Sequence, residues 1–329
     1  MRESSIRHFA CPKCHSDLRL DSVEIRTGDR IESGKLVCTN CASVFPIVRF
    51  IPRFVPNQNY AVNFGYQWTK HSRTQYDSQT GLRVSERRFF DETGWSHNLS
   101  GQIILEAGSG SGRYTEQAAS TKATVVSFDY SNAVEANYAS NGRKDNVIIA
   151  QANIYEMPFR AGYFNKVFCF GVLQHTPDVR KAFLSLAPMP KQGGELVVDV
   201  YRRTRFHTKY MIRGFTTRIF KTMPPSKAYD LTKRWVDLMW PLSQRISKMP
   251  KYGPKINWLL MVPDYSRQGV KGSMMKEWAY LDAFDMLAPS FDSPQTIKTL
   301  TDWFHEARMS NVVVKYGYNG IEGRGKKER

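Results

Sequence analysis

The 329-residue sequence predicts an α/β fold: a mostly parallel sheet of seven strands, preceded by a small metal-held ribbon and interrupted by a helical insert after the fifth strand. Three observations predict it. Between residues 101 and 201, short continuous apolar runs alternate with helical patterns, as in a parallel sheet covered on both faces. The glycines of Gly108-Ser109-Gly110-Ser111-Gly112 fall between the first such strand and the helix after it. Four cysteines stand near the N-terminus as two pairs, Cys11-Pro12-Lys13-Cys14 and Cys38-Thr39-Asn40-Cys41.

Residues 1–56 read as the ribbon. Each Cys-x2-Cys sets two thiolates on one tight knuckle, so Cys11, Cys14, Cys38 and Cys41 make the tetrahedral sulfur set that Zn²⁺ accepts. With all four positions taken by protein the zinc is structural, and metal binding supplies much of the folding free energy of so small a unit. Arg19 to Glu32 is polar and turns at Thr27-Gly28-Asp29, while Val44–Val48 and Phe50–Pro52 close the ribbon. Such a unit could touch substrate or only pack. Residues 57–100 are a connector rich in aromatics, too apolar for a solvated linker. Its run Phe64-Gly65-Tyr66-Gln67-Trp68 reads either as a lid or as packing on the sheet edge.

Residues 101–201 form the core. Ile103–Leu105 is the first strand, and the glycine loop leads into a helix from Tyr114 to Ala119. Thr124–Phe128 is the second strand and ends at Asp129. Ser131 caps a helix running through Tyr138, which Asn141-Gly142 ends. Asn146–Ala152 and Asn165–Gly171 are the third and fourth strands. Asp178 caps a helix through Ala187, and Gly193-Gly194 precede the fifth strand, Glu195–Val200. Residues 202–293 are the insert. Residues 294–329 return with a helix from Pro294 to Ala307, a strand Asn311–Tyr316 and a short strand near Gly320 that closes the sheet. Ala279 to Pro294 reads as a turn-rich loop, with Tyr280 and Asp285 as pocket residues.

The formal charge is +17, and residues 202–255 alone carry fourteen Lys and Arg against two acids. An anionic partner is therefore expected to meet the protein there. Arg202, Arg203, Arg205 and Lys209 lie among Phe206, Tyr210, Met211, Phe215 and Ile219. Farther on, Ala228, Leu231, Trp235, Leu238 and Leu242 follow helical spacing, as on one face of a cover over the pocket. No stretch approaches the ~20 apolar residues of a membrane span, and no secretory signal is read. Cys169 reads as a buried small apolar residue. The expected location is the cytoplasm, with contact to the inner face of a membrane through 202–255.

Glycine lets the loop turn sharply and approach a ligand closely, and an acid at the position of Asp129 can accept hydrogen bonds from both ribose hydroxyls. With Leu105-Glu106-Ala107-Gly108 to Gly112, Met157-Pro158-Phe159 and Gly171-Val172-Leu173-Gln174-His175, the chain resembles the class I S-adenosyl-L-methionine-dependent methyltransferases over about residues 101–201. The resemblance implies their Rossmann-like sheet and that cofactor. Glu106 and the loop of Gly108, Gly110 and Gly112 would hold its methionine end, Asp129 the ribose, and Asn153 and Ile154 would lie beside the adenine, with Tyr130 also at the cofactor. Gly171 would close the site at the carboxyl edge. Family members often have Asp at the position of Asn153. His175 could be a general base toward a hydroxyl, or could cap the next helix or orient a loop. The expected reaction is O-methylation of a small molecule, sugar or lipid-linked saccharide. The alternative is an RNA base, since a zinc knuckle ahead of this fold also resembles ribosomal RNA guanine methyltransferases.

Overall fold

The computed structural model describes residues 1–56, 61–203, 220 and 223–328. Arg205 and Lys209, and the apolar groups interleaved with them from Phe206 to Ile219, lie outside the described residues.

Strands β1 (Leu18–Thr27), β2 (Arg30–Cys38), β3 (Val44–Val48) and β4 (Ile51–Pro52) form an antiparallel sheet in chain order. The connector then folds as helices α1 (Val62–Lys70), α2 (Asp77–Thr80) and α3 (Val84–Thr93). Next come β5 (Ile103–Ala107), α4 (Arg113–Ser120), β6 (Thr124–Asp129), α5 (Val134–Asn141), β7 (Val147–Gln151), β8 (Phe164–Cys169), α6 (Val179–Leu186) and β9 (Pro190–Val200). The insert contributes α7 (Pro225–Ser247), α8 (Gly253–Leu259) and α9 (Gly272–Leu287). The chain returns through α10 (Ile297–Glu306), β10 (Met309–Gly317) and β11 (Gly320–Lys327).

The second sheet has seven strands in the order β10-β11-β9-β8-β5-β6-β7. Its pairs from β9 to β7 are parallel, and the returning strands are antiparallel. The apolar strands explain why: β7 is buried along its whole length, as a strand covered on both faces must be. The glycine loop leaves the end of central β5, so the carboxyl edge of the sheet faces the site.

The ribbon and the large sheet share one core. Phe9, Leu36 and Phe45 belong to the same buried cluster as Leu105, Phe128 and Phe159. Phe9 stacks on Phe159 with ring centroids 5.9 Å apart. The Ala10 amide donates to the Pro158 carbonyl at 2.8 Å. Past β4, Arg53 pairs in parallel with Gln151 at the end of β7, and the Phe54 amide donates to the Gln151 carbonyl at 2.9 Å. Arg53 is buried; its guanidinium donates to the Gln151 side chain at 2.9 Å and pairs with Glu135 on α5.

Several elements differ from the sequence expectation. The fifth strand begins at Pro190 and runs through Gly193-Gly194, because the Phe164–Pro190 register already pairs it with β8. Helix α5 starts at Val134 rather than after Ser131, whose hydroxyl instead donates to Asp129 at 2.7 Å and accepts the Ala133 amide. Of the stretch read as a loop from Ala279 to Pro294, the part through Leu287 is the second half of α9, buried at Ala279, Leu281, Ala283, Phe284 and Leu287, and only the remainder is non-helical. On α7 the apolar stripe is split: Ala228 is buried, while Leu231, Trp235, Leu238 and Leu242 are exposed.

Candidate functional site

A cavity of about 590 Å³ opens at the carboxyl edge of the sheet. This is within the range of small-molecule sites. One wall is the glycine loop, the end of β6 and Ile154; the other is made by α1, α3 and the insert helices.

The loop is shaped by local constraints. Gly108 has φ +78°, and a Cβ there would stand 2.3 Å from a methyl of Val172. Its amide and that of Ser109 donate to the Phe128 carbonyl at 2.8 and 3.0 Å, binding the turn to β6. The Gly110 amide donates to Asp129 at 2.8 Å, and the other Asp129 oxygen accepts the Ser131 amide at 2.8 Å. Burial pushes the Asp129 carboxyl above its usual range, while these donors oppose the shift. Trp68 of α1 lies against the loop: a Cβ on Gly110 would be 3.1 Å from its indole nitrogen.

Gly108, Gly110, Asp129, Tyr130, Ile154, Gly171 and His175 all line the cavity. Three residues expected at the cofactor do not. Glu106 is buried behind the loop, where its carboxylate accepts the hydroxyls of Thr115 and, at 2.8 Å, Ser127. Burial raises its pKa to about 7. Gly112 faces α5, where a Cβ would stand 2.1 Å from the Asn137 side chain. Asn153 uses its side-chain oxygen to accept the Tyr155 amide at 3.1 Å. Asp285 lines the cavity, and Tyr280 instead donates to Asp237 at 2.5 Å.

His175 is 5% exposed and lies between Phe64 and Tyr201, with ring centroids 5.1 and 5.3 Å away. Its Nδ1 sits 3.0 Å from the Phe291 carbonyl. A carbonyl only accepts, so Nδ1 carries the hydrogen and Nε2 is the basic nitrogen. The Tyr201 hydroxyl donates to Asp285 at 3.0 Å.

Sequence reading missed a buried charge network under this end of the cavity. Arg88 on α3 lines the cavity and pairs with both Glu92 and Asp199. Asp199 also accepts the Gly171 amide at 2.5 Å and the Asn319 side chain at 3.2 Å. Two carboxylates share one guanidinium, and burial with the Asp199 charge nearby raises the Glu92 pKa to about 8, with Arg88 opposing it. The signal was present: Asp199 is the one acid within the apolar run Val197–Val200.

In the ribbon, the four cysteine sulfurs lie within 4.8 Å of one another. Cys11 and Cys41 sulfurs are 3.6 Å apart, and those of Cys14 and Cys38 3.4 Å. Tetrahedral zinc with ~2.3 Å bonds sets sulfurs about 3.8 Å apart, so the cluster fits that ion. The Asn40 and Cys41 amides point at the Cys38 sulfur from 3.4 Å, as a metal knuckle requires.

Residues 105–198 match the family described as methyltransferase domain, and residues 9–49 the family described as Trm112p-like protein. The ubiquinone biosynthesis O-methyltransferase of Pseudomonas fluorescens (strain SBW25) is 30% identical over 133 residues, covering 39% of this chain and 56% of that protein. The tRNA U34 carboxymethyltransferase of Campylobacter curvus (strain 525.92) is 26% identical over 105 residues, 31% of this chain and 35% of that protein. The chain thus spans about a third to about half the length of these relatives. Among solved structures, a complex containing the Haloferax volcanii Trm112 methyltransferase activator is 9% identical, with a TM-score of 0.46, and covers 84% of this chain and 100% of that one. Residues 105–198 are thus similar to a methyltransferase domain, and the Trm112p-like match that precedes them holds the four-cysteine cluster.

Proposed function

We propose that this chain is an S-adenosyl-L-methionine-dependent methyltransferase acting on a hydroxyl of a small-molecule, sugar or lipid-linked saccharide acceptor. The observation that carries this is the coupling of Asp129 to the Gly110 amide at the mouth of the parallel sheet, on one wall of a cavity of nucleoside-ligand size. The bound cofactor would supply a sulfonium methyl. Asp129 would accept the ribose hydroxyls, the turn at Gly108 and Gly110 would lie against the methionine end, and Ile154 would cover the adenine. Trp68 and Phe64 would exclude water from the side of α1. An acceptor hydroxyl would be aligned in the half of the cavity walled by Tyr201, Asp285 and Trp278. Nε2 of His175 would take the proton of the acceptor hydroxyl, with Nδ1 held by the Phe291 carbonyl. Alignment is the main requirement of such a step.

Calorimetry with S-adenosylhomocysteine tests the reading. Binding is expected; preference for NAD, or no binding, overturns it. Zinc held by Cys11, Cys14, Cys38 and Cys41 would be structural, and metal analysis should give one equivalent per chain.

The second reading is RNA methylation. The net charge of +17 and the tRNA-modifying relative favour it. Filter binding at several salt concentrations separates the two. RNA affinity should fall with a log–log slope of roughly −0.7 to −0.9 per phosphate neutralised if RNA is the acceptor. Negligible RNA binding at low salt removes that reading.

A further inference from the structure

Helix α7 buries Ala228, Tyr229, Thr232 and Val236, with Tyr229 packed against His71 and Phe284. Beside that face it presents Leu231, Trp235, Leu238 and Leu242 to solvent, with Leu238 72% exposed. These positions follow one another by four, three and four residues and so form a continuous stripe. Helix α8 folds back along α7. The Trp235 indole donates to the Leu260 carbonyl at 2.9 Å, and Asn257 donates to the Ser243 carbonyl at 3.2 Å. The turn back adds Trp258 and Leu259 to the exposed apolar groups, both nearly half exposed.

Lys227, Arg234 and Arg245 are exposed and lie along the flank of the stripe, about 60° round the helix from it at 3.6 residues per turn. Among the described residues, no acid pairs with them; the acid Asp237 is paired with Lys233 and Lys276 instead. Trp258 belongs both to this surface and to the cavity lining.

An apolar stripe edged by three exposed basic groups, with the single acid Asp230 beside them, suits an interface where hydrocarbon lies beneath anionic headgroups. Phosphate alone would use the basic groups and gain nothing from exposed leucines, so the stripe favours lipid over RNA. We propose that the α7–α8 face docks on an anionic lipid bilayer and that the acceptor enters the cavity past Trp258 from that surface. The entry route rests on the methyltransferase reading above; the docking does not.

The test is co-sedimentation of the full chain with vesicles of equal parts phosphatidylglycerol and phosphatidylcholine, and with phosphatidylcholine alone. Binding is expected to the anionic vesicles only, weakening as salt rises. Leu238→Ser with Leu242→Ser should weaken it about tenfold or more, because the apolar insertion is lost. Lys227→Gln, Arg234→Gln and Arg245→Gln together should do the same. Calorimetry with S-adenosylhomocysteine should be unchanged in both variants, which shows that they fold. Loss of that binding in the parent chain would sink the methyltransferase reading and leave the vesicle result to stand alone. Equal sedimentation of parent and leucine variant overturns the proposal. So does equal binding to neutral vesicles, or RNA binding that the charge variant abolishes while vesicle binding persists.

Discussion

The Asp129 carboxylate accepts the Gly110 amide at 2.8 Å, so the acid that ends β6 also holds the turn that leaves β5. Asp129→Ala removes that bond together with the expected ribose contacts. The cost to S-adenosylhomocysteine affinity should be about 2–3 kcal/mol, from charge-assisted bonds. Asp129→Asn keeps an acceptor for Gly110 and should lose less. Calorimetry that finds Asp129→Ala equal to the parent would refute the assignment.

Two glycines of the same loop should separate binding from folding. Gly108 lines the cavity and Gly112 does not, yet both have positive φ and a close neighbour. Gly112→Ala would drive a methyl into Asn137 and disturb its bonds to Thr115 and Ser127, at 3.0 and 3.1 Å. It should lower thermal stability, on the order of 1–3 kcal/mol. Gly108→Ala would push Val172 aside at the cavity wall and should reduce cofactor-product affinity more than stability. Melting curves and calorimetry on the same preparations decide it; the reverse pattern would contradict the placement of these residues.

Glu106 makes stability fall as pH rises. Its folded pKa is about 7 against an ordinary 4.5, raised by burial. The folded state therefore keeps a proton that the unfolded state releases, and stability declines between about pH 4.5 and 7. The full effect is roughly 3 kcal/mol, present above pH 7 and absent below 4.5. Glu106→Gln, which can still accept from Thr115 and Ser127, should flatten this slope in denaturant titrations at pH 5 and pH 8. A slope unchanged in the variant would mean that Glu106 does not titrate in this range.

For His175, the Phe291 carbonyl fixes the proton on Nδ1. If Nε2 takes the acceptor proton, His175→Gln should lower kcat by roughly 10²–10⁴ and leave S-adenosylhomocysteine affinity in place. An unchanged kcat would reduce His175 to a support for the Phe291 segment.

What the sequence showed and what it hid divide along the range of the interactions. The four-cysteine spacing, the glycine loop and the acid closing β6 are local patterns, and each has a local geometric reason. Placement of Glu106 behind the loop depends on Thr115 on α4 and Ser127 on β6, the next two elements of the chain. Asp199 reaches Arg88 across 111 residues, which no periodicity announces. The α7 stripe has helical spacing, but spacing does not say which side is wet. Tyr229 and Val236 settle that by packing inward, and neither belongs to the stripe. The end of α9 resembles a turn because Asp285 interrupts it, yet burial on all sides holds it helical.

The Arg53–Gln151 bridge has a consequence for solution behaviour. Strand β7 is the last of its sheet, and the chain leaving the ribbon pairs with its end at Phe54 and Arg53. The ribbon therefore acts as a guard on an otherwise bare rim of hydrogen-bonding groups. Stripping zinc should loosen that guard before the large sheet melts. The first sign of chelation is then expected in light scattering, as chains adhere edge to edge, with little early loss of helical signal. Replenished zinc should halt the growth of such particles if it is added before they become large.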